Sequence, residues 1–315
     1  MKWLKWAGYV LLALVVVSIP AYWWLLVESH RASPSSYVID TAELRRLADS
    51  QAGEKPEAIR VETVAHLSAP STIVVAGDGW QKTDLPVSSY ELVYSDHSAI
   101  VDAALNAGIA KSMSATAFDS AAYSRMSSAL ARASIIIVTH EHPDHIGGLL
   151  AQPEVKKLLT ATRLTREQVA ELKVNLKADP FAALHLPSNI FDGYRPLDYV
   201  RYHAIAPGVV LIKAPGHTPG SQMVYVRRAD GVEFLLVGDV AWQMRNIETT
   251  LEKARVVTWI AGEDRTRVRE ELAGLNRLHA ADPELHMIPG HDEAAIDSLV
   301  KSRLLVRGFD GAGTE

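Results

Sequence analysis

The chain contains no cysteine among its 315 residues. That absence excludes disulfides, thiolate-ligated zinc and a thiol nucleophile, and it leaves the chain indifferent to the redox state of its compartment. A basic surplus is missing as well. The formal net charge is −5, whereas nucleic-acid binders carry a cationic face that displaces counterions, so no nucleic-acid partner is expected. Neither an internal repeat nor a low-complexity run is present, which removes the fibrous and disordered classes. What remains is a chain that is 48% hydrophobic, long enough to bury a large core in one or two domains.

The N-terminus has its own signature. From Trp6 to Val27, 22 residues pass without a charge. At about 1.5 Å per residue a helix of that length crosses the roughly 30 Å hydrocarbon layer. Lys2 and Lys5 precede it and Glu28, His30 and Arg31 follow, so the positive-inside bias keeps the N-terminus cytoplasmic. Trp3 and Trp6 at one end, and Tyr22, Trp23 and Trp24 at the other, suit the two membrane interfaces. The reading is an uncleaved transmembrane anchor over residues 1–28, touching the membrane through residues 6–27. A cleaved signal peptide is the alternative; its apolar core would end near Ser18, but no Ala-x-Ala follows. Either way the body lies outside the cytoplasm, in the periplasm of a Gram-negative source. Residues 29–55 read as a linker, polar over 29–37, and a short surface helix capped by Asp40 or Thr41. Residues 56–315 form the main domain.

Within that domain β-type runs come first: Ile59 to Ala65, Thr72 to Ala76, Ser89 to Tyr94 and Ser98 to Val101. Gly77-Asp78-Gly79 and Ser95-Asp96 separate them, which predicts an antiparallel sheet. The spacing over Ser120 to Ala133 predicts a helix, and Thr165 with Gln168 three residues on predicts a capped helix start. Asp179 to Pro196, with three prolines and Phe181, Phe191 and Tyr194, predicts a loop near a site mouth; His185 within it is given no role. Strands return at Tyr202–Ala206, Val209–Lys213, Met223–Arg228 and Glu233–Val237. Helices follow at 264–280 and 293–300, and residues 308–315 read as a frayed end. Strands, helices, strands, helices in roughly equal halves give an α/β chain folded as a four-layer αββα sandwich.

Chemistry concentrates in Thr139-His140-Glu141-His142-Pro143-Asp144-His145-Ile146-Gly147-Gly148, directly after the β-branched strand Ile135–Val138. Imidazole nitrogen and carboxylate oxygen suit zinc and similar divalent ions. His140 and His142, two apart on an extended turn, can share one metal, while Asp144 and His145 can turn to a second. Gly147 and Gly148 would let the backbone pass close to the metals. This His-x-His-x-Asp-His pattern resembles the signature loop of the metallo-β-lactamase fold superfamily, the hydrolases related to glyoxalase II and the quorum-quenching lactonases. Three later segments match the same resemblance. They are Gly216-His217-Thr218, the strand end Val237-Gly238-Asp239, and Pro289-Gly290-His291.

The resemblance covers about residues 60–300 and fills every ligand position. It implies that His140, His142 and His217 hold one metal, that Asp144, His145 and His291 hold the other, and that Asp239 bridges them. Asp102, at the end of its strand, would support the site without binding metal. The ions expected are two Zn²⁺, with iron or manganese as alternatives. A hydroxide shared by the ions would then open an ester, lactone, thioester or amide of a small molecule, with Asp144 passing the proton to the leaving group. Phosphodiester hydrolysis on the same site is the alternative, and iron-dependent oxygen or sulfur chemistry, or binding without turnover, is a third. Basic candidates near the mouth are Arg195, Arg201 and Arg245.

Some positions depart from known subgroups. The commonest class B β-lactamases carry Cys where Asp239 stands. Acyl-homoserine lactonases carry Tyr three positions after the bridging Asp, where this chain has Trp242. Glyoxalase II relatives bind glutathione through a basic C-terminal region; Lys301, Arg303 and Arg307 are basic here.

Overall fold

The computed structural model describes residues 2–29 and 35–310. Most of the 29–37 linker, and residues 311–315 of the expected frayed end, lie outside the described residues. The first half of the body carries six strands. They are β1 (Ala58–Pro70), β2 (Lys82–Val93), β3 (Ser98–Val101), β4 (Ala117–Phe118), β5 (Ile135–Ile137) and β6 (Thr162–Arg163). The second half carries β7 (Tyr202–Ala206), β8 (Val209–Lys213), β9 (Gln222–Arg227), β10 (Glu233–Gly238), β11 (Leu285–Pro289) and β12 (Val306–Arg307). One sheet runs in the order β12-β1-β2-β3-β5-β6 with β4 beside β1, and the other runs β11-β10-β9-β8-β7. The antiparallel pairings expected of both sheets hold for β1–β2–β3 and for β7 to β10. β3–β5, β5–β6 and β10–β11 are parallel instead. Helices cross between these partners, Ser120–Arg132 before β5 and Arg265–Ala281 before β11, and a parallel pair needs such a crossover.

Strand geometry explains the layers. Successive side chains point to opposite faces. In β8, Val209 and Leu211 enter the core shared by the two sheets, while Val210 and Ile212 enter the core under the outer helices. In β10, Phe234 and Leu236 face the first of these cores, and Leu235 and Val237 the second. Both faces are covered, so these strands are apolar without alternation. Each fully buried Leu or Phe stabilises by roughly 1.5–3 kcal/mol. A third core lies between the first sheet and its helices, around Ile100, Met126, Leu130 and Ile136. The αββα sandwich follows from these three cores.

Three expectations are corrected. The run Thr72–Ala76 is not a strand; Ser71–Val74 makes one helical turn that closes the β1–β2 hairpin. The helix Thr41–Ala48 is more than a surface element, since Leu44 and Ala48 are fully buried against the second sheet. The segment 179–196 is packed as well as looped. Phe181, Ile190 and Phe191 join the core of the first half, and Asn189 to Arg195 line a cleft of about 550 Å³ that no residue of the metal loop borders.

Candidate metal centre

β5 ends at Ile137, and the chain leaves the sheet edge through Val138 to Glu141. His142 is the N-cap of the helix Pro143–Leu150, with Pro143 at its first turn, where a missing N–H leaves no bond unmade. Asp144 and His145 therefore occupy the first helical turn, beyond His140 and His142 on the extended side. The glycine pair serves packing, in place of the expected close passage to metal. A Cβ on Gly148 would lie 1.9 Å from the Ala103 carbonyl oxygen, and one on Gly147 would lie 2.5 Å from Ile109 Cδ1.

The three later segments return to this loop. His217 Nε2 lies 2.9 Å from His142 Nδ1 and 3.5 Å from Asp239 Oδ2. Asp239 Oδ1 is 3.2 Å from His145 Nε2 and 3.3 Å from His291 Nε2, which is itself 3.6 Å from Asp144 Oδ2. Three triplets have ligand atoms within 4.8 Å of one another: His140 with His142 and His217; Asp144 with His145 and His291; and His140 with His145 and Asp239. All are buried except His142, which is partly open. Gly290 keeps the approach clear, since a Cβ there would sit 2.3 Å from Asp239 Oδ1.

A divalent ion fits this donor set. His140 Nε2, His145 Nε2 and Asp239 Oδ1 are buried without a hydrogen bond, and such groups are rare unless something else satisfies them. For two of the imidazoles the electrostatics agree. Burial, with help from the neighbouring imidazoles, holds His140 well below the usual histidine value and His142 down to about 4, in the neutral form that binds metal. Burial also works against charge on His145 and His291, but Asp239 and the other carboxylates outweigh it and raise both. Asp239 is depressed in spite of its burial, by His291, His145 and His140.

Three of the imidazoles are also held from behind. Asp102, at a left-handed φ of 59°, accepts from Thr139 N at 2.7 Å and Thr139 Oγ1 at 2.8 Å, and its Oδ2 lies 2.8 Å from His145 Nδ1. His291 Nδ1 is 2.9 Å from the Pro86 carbonyl oxygen in β2. His217 Nδ1 is 2.6 Å from Glu263 Oε1, and the Lys253 ammonium lies 2.8 Å from that same oxygen. Lys253 also donates to the Asp239 carbonyl at 2.6 Å. Glu263 is ionised against the pull of its burial, by Lys253 and His217. The Trp242 indole N–H donates to Asp239 Oδ2 at 2.6 Å. Glu141, raised to about 7 by burial, accepts from Thr218 Oγ1 at 3.0 Å and ties the loop to the His217 turn.

Glu263, Lys253 and Glu141 are absent from the sequence reading. Glu141 sits inside the motif, and its place between His140 and His142 is the available signal; Glu263 and Lys253 lie in no motif at all. The basic candidates are engaged elsewhere. Arg245 pairs with Asp78, Arg201 bonds the Val38 carbonyl, and Arg195 lines the separate cleft. Arg307 pairs with Glu293 and Asp297 on the C-terminal helix. His185 caps a short helix outside the cluster.

Two packed sheets with a His/Asp cluster at their edge define a hydrolytic metalloenzyme. The sequence profile of the metallo-beta-lactamase superfamily matches residues 83–291, and the chain belongs to that superfamily. A probable metallo-hydrolase of Mycobacterium tuberculosis is 28% identical over 174 residues, 50% of this chain and 54% of that protein. The chain thus matches about half the length of the curated relatives. Among solved structures, a quorum-quenching N-acyl homoserine lactone hydrolase is 18% identical at a TM-score of 0.58, covering 78% of this chain and 97% of its own. A probable metal-dependent hydrolase from Staphylococcus aureus is 12% identical at 0.56, covering 76% and 91%. These likenesses establish the fold.

Proposed function

We propose that the chain is a dinuclear metallohydrolase that opens an ester, lactone, thioester or amide of a small molecule. His140, His142 and His217 would hold one ion, Asp144, His145 and His291 the other, and Asp239 both. Zinc is the favoured ion for a donor set of imidazole and carboxylate. Bound there, two divalent ions would acidify a water near neutral pH and polarise a carbonyl oxygen. The chain's own part is positional. Glu263, Asp102 and the Pro86 carbonyl fix three rings, and Asp144 would carry the proton to the leaving group.

The observation that carries this reading is the convergence of unbonded, buried His140 Nε2, His145 Nε2 and Asp239 Oδ1. Phosphodiester hydrolysis ranks second, because of the three arginines that would greet a phosphate, Arg245 and Arg201 are bonded to other partners and Arg195 lines a separate cleft. Lactone opening is favoured by the fold neighbours, whereas Trp242 in place of the lactonase tyrosine argues for a different leaving-group contact. The helix Lys2–Tyr22, continued by a π-helical turn Trp23–Val27, is read as a membrane anchor with the body outside the cytoplasm. Metal analysis of the full chain purified in detergent, followed by assay against lactones, thioesters, β-lactams and phosphodiesters, tests the proposal. About two zinc ions per chain and turnover of a carbonyl substrate are expected; a single iron per chain would overturn it.

A further inference from the structure

The end of the apolar helix is fastened to the body, and by backbone as well as side chains. The Leu26 carbonyl accepts from Gly77 N and from Thr72 Oγ1, each at 3.0 Å. Glu28 is buried and bonded to Arg255 and, at 3.0 Å, to Arg265. A helix held in this way fixes the orientation of the body relative to any membrane it crosses.

Around that junction the body exposes large apolar side chains. Trp259 is 55% exposed, Ile260 85% and Trp80 59%. Each tryptophan touches the aromatic end of the helix. Trp24 meets Trp259 edge-on at 4.9 Å between ring centroids, and Tyr22 stacks on Trp80 at 6.2 Å, with the indole N–H donating to the Tyr22 hydroxyl at 3.2 Å. Arg255 lies over the Trp24 ring, its guanidinium carbon 4.6 Å from the centroid. Tryptophan and tyrosine concentrate where hydrocarbon meets headgroup, and arginine extends its charge outward from the same depth.

We propose that Trp80, Trp259 and Ile260 form a footprint on the phospholipid surface, so that the body is seated on the bilayer as well as tethered to it. The proposal rests on reading the N-terminal helix as a membrane span. The occupant is lipid because these side chains are continuous with the helix's own aromatic end. The footprint is also near the chemistry. Its helix, Arg255–Ala261, joins Lys253, which donates to Asp239, to Glu263, which holds His217. At 1.5 Å per residue that helix is roughly 10 Å long.

The absence of cysteine makes the test clean. In the full chain, Ile260→Cys, Val16→Cys and Val174→Cys each accept one environment-sensitive fluorophore. Each is then placed in nanodiscs of phosphatidylethanolamine and phosphatidylglycerol, with and without doxyl-labelled lipid. Val16 lies in the apolar helix, and Val174 is exposed on a helix of the first half. The expected result is blue-shifted, lipid-quenched emission at 260 and 16, with 174 unquenched. Quenching at 16 but no more at 260 than at 174 leaves the anchor standing and overturns the footprint. A blue shift at 260 without lipid quenching overturns it too, and assigns the patch to a protein partner. An unquenched label at 16 removes the anchor reading and the footprint with it.

Discussion

The two sides of the cluster are held by unlike means. On the His217 side, an ionised carboxylate holds one ring, and a buried ammonium holds that carboxylate. On the His145 side, Asp102 holds the ring and also ties down the backbone and hydroxyl of Thr139, so it builds the loop as it aims the imidazole. His291 is held by a carbonyl of β2, which no side-chain change can delete. The difference separates two jobs: the support of the first side can be altered while the loop keeps its shape, and that of the second cannot.

Asp239 belongs to both sides, so its loss has the largest effect. Asp239→Ala is expected to remove most bound metal and abolish turnover, read by metal content and initial rate; retention of both ions would show that Asp239 does not join the two sides. Next come the supports. Glu263→Gln should weaken metal binding by about 10–100-fold, and it strands the Lys253 ammonium, costing about 3–5 kcal/mol of stability. Adding Lys253→Met should restore most of the stability in a denaturant titration without restoring affinity. If affinity returned as well, Glu263 would act only through stability. Asp102→Asn should lower affinity and stability together, with no second change that separates them.

A pH effect is smaller. Burial pushes the Glu271 carboxyl up to about 8, and it accepts from Gly216 N beside His217. A raised carboxyl is protonated in the fold at pH values where the unfolded chain has ionised. Its stabilisation is therefore complete below about 4.5 and lost progressively as pH rises to about 8. Glu271→Gln should flatten that decline in a series of melting curves. Smallest of all, His185→Ala should leave metal content and turnover unchanged; a loss would mean that the ligand set is incomplete.

What was legible follows from where each group sits. Asp239 and His291 follow strand ends beside Gly, His217 follows Gly216 in the turn after β8, and the other four side chains of the proposed set cluster in the loop and first helical turn after β5; periodicity locates strand ends well. Asp102 was legible for the same reason, at the end of β3. Glu263 and Lys253 flank a short helix with no apolar period and reach the cluster only through the tertiary fold. Thr72–Ala76 has β-type composition but must close the hairpin between Pro70 and Lys82, and the turn overrides the propensity. Leu44 and Ala48 make a thin stripe, yet a sheet with both faces covered gives even a thin stripe something to bury against.

The clasp on Glu28 bears on how the protein is prepared. A body cut free after the apolar helix loses this carboxylate; of the guanidiniums that gather on it, Arg255 then loses its ion pair, and Arg265 and Arg269 are left to share Glu252. Such a truncated sample would carry a cationic notch the intact chain does not have, ready to collect phosphate or sulfate from the buffer. Any anion preference it displayed would then belong to the cut.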